Sequence, residues 1–141
     1  MHPFRKAVEE RDEAAIAALL ADDVVFTSPV AFKPYVGKPI TAAFLRGVLR
    51  VFEDFRYVRE IHDGPSGHHH AFEFEAGIVG APGVTVNGCD LLHVNDDGLI
   101  DDLKVMVRPL SGATALAEAM GAQFGRIQQD AVELADQFTR A

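Results

Sequence analysis

Residues 84–94 read VTVNGCDLLHV. Side chains alternate between the two faces of a β-strand. Val84, Val86, Gly88, Asp90, Leu92 and Val94 therefore share one face, and it is the apolar one. A carboxylate in that row is costly unless it is paired, hydrogen-bonded or held neutral. Holding Asp90 neutral at pH 7 requires its pKa to rise by about three units, worth about 4 kcal/mol of differential solvation. The strand is thus a core element with one acid set into it.

Working outward, the neighbouring runs have the same character. DFRYVREIHD (54–63) ends at GPSG, HHHAFEFEAGIV (68–79) at GAPG, and VTVNGCDLLHV at NDDG, and LIDDLKVMVRP (99–109) follows. Glycine or proline at each break, with alternating residues between, predicts an antiparallel meander of four strands. Phe72, Phe74, Ala76 and Ile78 face one way, Glu73 and Glu75 the other.

Upstream, Phe4, Val8, Ala15, Ile16, Leu19 and Leu20 follow helical spacing and predict one helix over about 3–20. DDVVFTSP (22–29) reads as a short strand stopped by Pro29, and VAFKPYVGKP (30–39) as loop. A second helix opens near Pro39, with Ile40, Phe44, Leu45, Val48, Leu49 and Phe52 as its apolar stripe. A third is expected over about 112–138, capped by Ser111, with Leu116, Met120, Phe124, Ile127, Leu134 and Phe138 on its buried side. Helices ahead of a curved antiparallel sheet define an α+β domain, and a strongly bent sheet over helices leaves a hollow cone. Residues 1–141 read as one such domain.

The chain has 13 basic and 21 acidic residues, a net charge of −8. That field repels phosphate backbones and anionic lipid, which argues against nucleic-acid or membrane-surface binding. No apolar run has the length of a membrane span, and the first 15 residues are too charged for a signal peptide. The single cysteine, Cys89, cannot form an internal disulfide and fits a reducing cytoplasm, the expected location. Apolar residues on both faces of the final strand (Leu103, Val105 and Val107 against Met106) predict a homodimer.

The order of elements, with LLADDVVFTSPV (19–30) after the first helix and DLLHVNDDGLIDDLKVMVRPLSG (90–112) near the end, resembles the nuclear transport factor two superfamily. Within it the chain looks like the SnoaL-like proteins, a group that includes polyketide cyclases, ketosteroid isomerase and limonene epoxide hydrolase. The resemblance implies a cystatin-like cone: a strongly curved, mixed but mainly antiparallel sheet wrapped around helices. It also implies dimers through the outer sheet face in many members. Function in the group runs from catalysis to scaffolding, so fold alone decides little.

Carried over residue by residue, the ketosteroid isomerase base falls on Ser28 and its helix-borne tyrosine on Phe4. Only its late-strand acid is retained, as Asp90. The arginine of the hydrolase Arg-x-Asp motif falls on Gly88. Neither complete constellation is present.

Asp90 is the first catalytic candidate, as hydrogen-bond donor when neutral or base when ionised; the plain alternative is a structural acid paired with Arg108, His70 or a backbone amide. Tyr57 offers a hydroxyl beside it. His70 shares the face of Phe72 and Phe74 and could act with Asp90 if the strands pair in register, or be a polar rim residue. Phe32, Tyr35, Phe52, Phe72 and Met106 are the candidate ligand-binding residues, although a packed core needs such side chains too. The loop with Phe32, Lys33 and Tyr35 reads as a lid over the mouth. Of His68, His69 and His70 only the first and third can converge, and no second ligand motif follows, so no metal is expected. The ligand implied is a small, mostly apolar carbonyl or hydroxyl compound. Any chemistry would be cofactor-free proton transfer (isomerisation, cyclisation, dehydration or hydrolysis). The alternatives are a non-catalytic binding or scaffolding module and a subunit whose sheet pairs with a partner.

Overall fold

The computed structural model describes residues 1–140. Its elements are α1 (Pro3–Glu9), α2 (Glu13–Ala18), β1 (Leu20–Thr27), β2 (Tyr35–Val36), α3 (Lys38–Val51), β3 (Phe52–His62), β4 (His69–Ile78), β5 (Thr85–Val94), β6 (Ile100–Arg108) and α4 (Leu110–Arg140). They form an α+β cone built on one open six-stranded sheet of order β2-β1-β6-β5-β4-β3. Strands β3 to β6 make the predicted meander, and β1 joins it parallel to β6. That single parallel pair makes the sheet mixed.

The expected first helix is two. Arg11 takes φ 56° and breaks the chain between them, and Asp12 caps α2 by accepting from Ala15 N. The last two residues placed on that helix lie beyond it: Leu19 is the C-cap of α2 and Leu20 opens β1. The proline-rich segment is not wholly loop, because Tyr35 and Val36 pair with Phe26 and Val25. Helix α4 starts at Leu110, so Ser111 lies inside its first turn, where Ala113 N donates to the Pro109 carbonyl.

The core lies between the concave sheet face and the helices. Phe72, Phe74, Val86, Leu92 and Leu103 come from the sheet, Phe4, Phe44, Leu116 and Ile127 from the helices. Each large apolar side chain so buried contributes about 2 kcal/mol. Helices α3 and α4 pack closely at Gly47, where an added Cβ would lie 2.8 Å from Ile127 Cδ1. Beside that contact, Asp130 is buried and neutralised by Arg50 at 3.0 Å and Arg46 at 3.5 Å. The long α4 is therefore fixed along α3, and its first half crosses the open side of the cone.

A bulge adjusts the sheet beside the cavity. In β3 the register with β4 shifts between Glu53 and Arg56, where Asp54 takes φ 53°. The extra residue turns Phe55 and Tyr57 onto the same face as Phe52, and all three reach the interior.

Candidate functional site

The concave face encloses one apolar pocket, a cavity of about 70 Å³. Apolar residues from every layer line it: Phe4 and Val8 of α1, Phe44 and Val48 of α3, Phe52 and Phe55 of β3, Val105 of β6, Leu116 and Met120 of α4. Its polar lining is confined to Arg11, Ser28, Tyr57 and Asp90. Arg11 is exposed and its guanidinium donates to the Leu49 carbonyl at the end of α3. Val30 is also exposed, so the pocket reaches the surface near these two residues.

Asp90 lies on the inner face of β5, 7% exposed. Tyr57 Oη donates to its Oδ2 at 2.6 Å. The two are not directly paired in the sheet: Tyr57 stands opposite Phe74, and Asp90 opposite Phe72. The tyrosine reaches diagonally over β4 between these phenylalanines. Burial raises the Asp90 pKa to about 7, against a smaller lowering by the tyrosine hydrogen bond. Burial and the neighbouring carboxylate push the Tyr57 phenol well up, so it stays a donor. The raised pKa favours the neutral acid, which can donate to a ligand oxygen, and the ionised form can accept a proton.

At Gly88, two residues before Asp90, the Phe74 ring fills the inner face of β5. A Cβ there would lie 2.2 Å from Phe74 Cζ, so the phenylalanine ring occupies the space of any side chain at 88. The arginine of the hydrolase motif is thus excluded by packing as well as by sequence.

Ser28 continues the inward alternation of Val24 and Phe26 at the end of β1. Its Oγ accepts from Val30 N at 3.1 Å and from Ala31 N at 3.2 Å. Thr27 pairs with Lys104, and Val105 pairs with Asp90. Extending that register one residue past the end of β1 sets Ser28 beside Val105, roughly in line with Asp90.

Of the anticipated residues, Asp90, Tyr57 and Phe52 meet at the pocket. His70 does not join them, because the register sets it opposite Leu92. Its Nδ1 lies 2.6 Å from His62 Nδ1 at the far end of the sheet. His2 packs against His70 there and caps α1 by accepting from Phe4 N; burial beside His70 pushes its pKa down to about 4. His68 donates instead to the Val94 carbonyl, so His68 and His70 do not converge. Phe72 is fully buried behind the pocket wall, and Tyr35 packs on Phe44 at 4.6 Å outside it. Phe32 is 101% exposed, so the 28–34 loop does not fold it over the mouth as a lid; Val30 is the loop residue that turns inward. Met106 pairs with Cys89 on the outer face, because Val105 takes the inner position. Arg108 is exposed on that outer face and is no partner of Asp90.

Leu116 and Met120 were legible only as core positions of the last helix, since an apolar stripe looks the same whether it meets side chains or a cavity. Phe55 was hidden by the bulge, which plain alternation does not show.

The chain matches the SnoaL-like domain over residues 2–103 and belongs to that family. The part of α4 that closes the pocket lies beyond the matched region. A steroid delta-isomerase from Pseudomonas aeruginosa is similar at 38% identity and TM-score 0.80, covering 89% of each chain. An uncharacterised bacterial protein with a cystatin-like fold from Silicibacter pomeroyi is 36% identical, with TM-score 0.78, over 86% of this chain and 82% of that one. A candidate polyketide cyclase from Pseudomonas putida shares the fold at 18% identity and TM-score 0.63, over 78% and 89% of the two chains. No curated protein matches the chain in sequence. No helix among the described residues is long and apolar enough to cross a membrane.

Proposed function

We propose that this protein binds a small, mostly apolar carbonyl compound in the cone and polarises its oxygen through Asp90, without a cofactor. The observation that carries the reading is a buried acid hydrogen-bonded to a buried tyrosine on the wall of an apolar pocket. A neutral Asp90 is a strong donor to a carbonyl, and a donor of that kind draws electron density from the neighbouring carbons and makes their protons more acidic. The similarity to a protein described as a steroid delta-isomerase supports this chemistry.

A second reading, a binding protein without catalysis, is favoured by Ser28 and Phe4. They occupy the places where ketosteroid isomerases carry a base and a second oxyanion donor.

Both readings are tested with 1-decalone as probe. Calorimetric titration should show binding to the parent, weakened about tenfold by Asp90→Leu, the scale of one buried hydrogen bond. No binding to the parent would overturn both readings. Proton NMR in deuterated buffer then separates them: faster exchange of the protons beside the carbonyl indicates catalysis, and an unchanged rate with normal binding indicates a carrier.

We further propose a homodimer through the outer sheet face. Ile61 and Met106 are each about half exposed there, beside Ala71, Cys89 and Leu91 and the Arg59–Glu73 and Arg56–Glu75 pairs.

A further inference from the structure

We infer that Ser28 is a second ligand-binding point, and that the compound held here carries two oxygens placed across a ring from one another. This rests on the pocket being a ligand site, as proposed above.

A serine hydroxyl has two lone pairs and one hydrogen. Both lone pairs of Ser28 are engaged, by the amides of Val30 and Ala31. Its hydrogen has no acceptor among the described residues, although the residue is only 9% exposed. The amides fix the hydroxyl as a donor and turn its proton away from the loop. The pocket lining around it, Pro29, Val30, Phe26 and Val105, offers no side-chain acceptor. A buried donor without a partner is unfavourable unless something else accepts from it. A ligand in the pocket can do so.

The row Ser28–Val105–Asp90 gives the spacing. Two strand intervals separate the outer pair, roughly 10 Å between backbones. A hydrogen bond from each end shortens that span to about the width of one saturated ring. Oxygens on adjacent carbons are too close together to reach both groups. The Val105 side chain between them supplies apolar contact for the ring. Ser28 therefore selects among apolar ketones for those with a distal hydrogen-bond acceptor: a second carbonyl, an ether or a hydroxyl.

The test compares 1-decalone with decalin-1,4-dione and decalin-1,5-dione by calorimetric titration, on the parent, Ser28→Ala and Ser28→Thr. At least one dione should bind the parent about five- to tenfold more tightly than the monoketone, the range of one added hydrogen bond. Ser28→Ala should remove that advantage, and Ser28→Thr, which keeps the hydroxyl, should retain it. Thermal melts of each variant check that the loop has not simply unfolded. Diones that bind the parent no better than the monoketone would overturn the inference while leaving the pocket's function standing, and so would an advantage that survives in Ser28→Ala. A parent that binds none of the three compounds would overturn both.

Discussion

The Tyr57 hydroxyl crosses the full width of β4 to donate to Asp90 at 2.6 Å, joining residues 33 apart in sequence on strands that are not neighbours. The bond opposes the effect of burial on the acid. It stabilises the ionised carboxylate, whereas the surrounding phenylalanines favour the neutral form. The pKa of about 7 is the balance of the two.

Removing the hydroxyl shifts that balance in a known direction. In Tyr57→Phe the Asp90 pKa should rise above its parent value of about 7. Carbon-13 NMR titration of the Asp90 carboxyl would measure it. A fall, or no change, would mean that the hydrogen bond does not act on the acid as described.

Asp90 also sets a pH dependence of stability. Its folded pKa is raised above the unfolded value, from 3.8 to about 7. Folding is thus free of the ionisation penalty below about pH 4, and stability is lost as pH rises through about 7. Asp90→Asn should accordingly be more stable than the parent at pH 8, by at most about 4 kcal/mol. The gap should close as pH falls towards 4. Urea unfolding of both proteins at several pH values reads the difference, and a gap constant with pH would contradict it.

Gly88→Ala should destabilise the fold by about 1–3 kcal/mol, because the new methyl overlaps the Phe74 ring. Adding Phe74→Leu to the same protein should recover part of the loss. Chemical denaturation of the two single variants and the double variant checks both statements, and strictly additive losses would count against the overlap.

The dimer proposal predicts a sedimentation mass near twice the 15.3 kDa of one chain at micromolar concentration. Met106→Lys on the outer face should shift the protein towards a single chain while leaving pocket binding intact. A parent that sediments as one chain would refute it.

The meander was legible because glycine and proline punctuate it and because Phe72, Phe74 and Val86 alternate cleanly with polar residues. Asp90 stood out for the same reason, as the one charge in an apolar row. The break at Arg11 was not visible, since its positive φ carries no glycine as a marker. Tyr57 was chosen for its hydroxyl, but its diagonal reach over β4 depends on side-chain length and sheet curvature, neither of which periodicity encodes. His70 was drawn towards Asp90 by sharing a face; register, set by the turns, moved it one pair away. Phe32 and Met106 were read as lining on hydrophobicity alone, and the loop and the strand alternation send both to solvent.

The central claim is that neutral Asp90 holds the ligand oxygen, and the pH dependence of binding tests it most directly. Dissociation constants for 1-decalone, measured by calorimetry between pH 5 and pH 9 on the parent and on Asp90→Asn, decide the matter. In the parent, affinity should be constant below pH 6 and fall about tenfold per unit once the acid ionises above its pKa of about 7. The asparagine amide does not titrate and should give a flat profile. A parent profile as flat as that of Asp90→Asn would contradict the account.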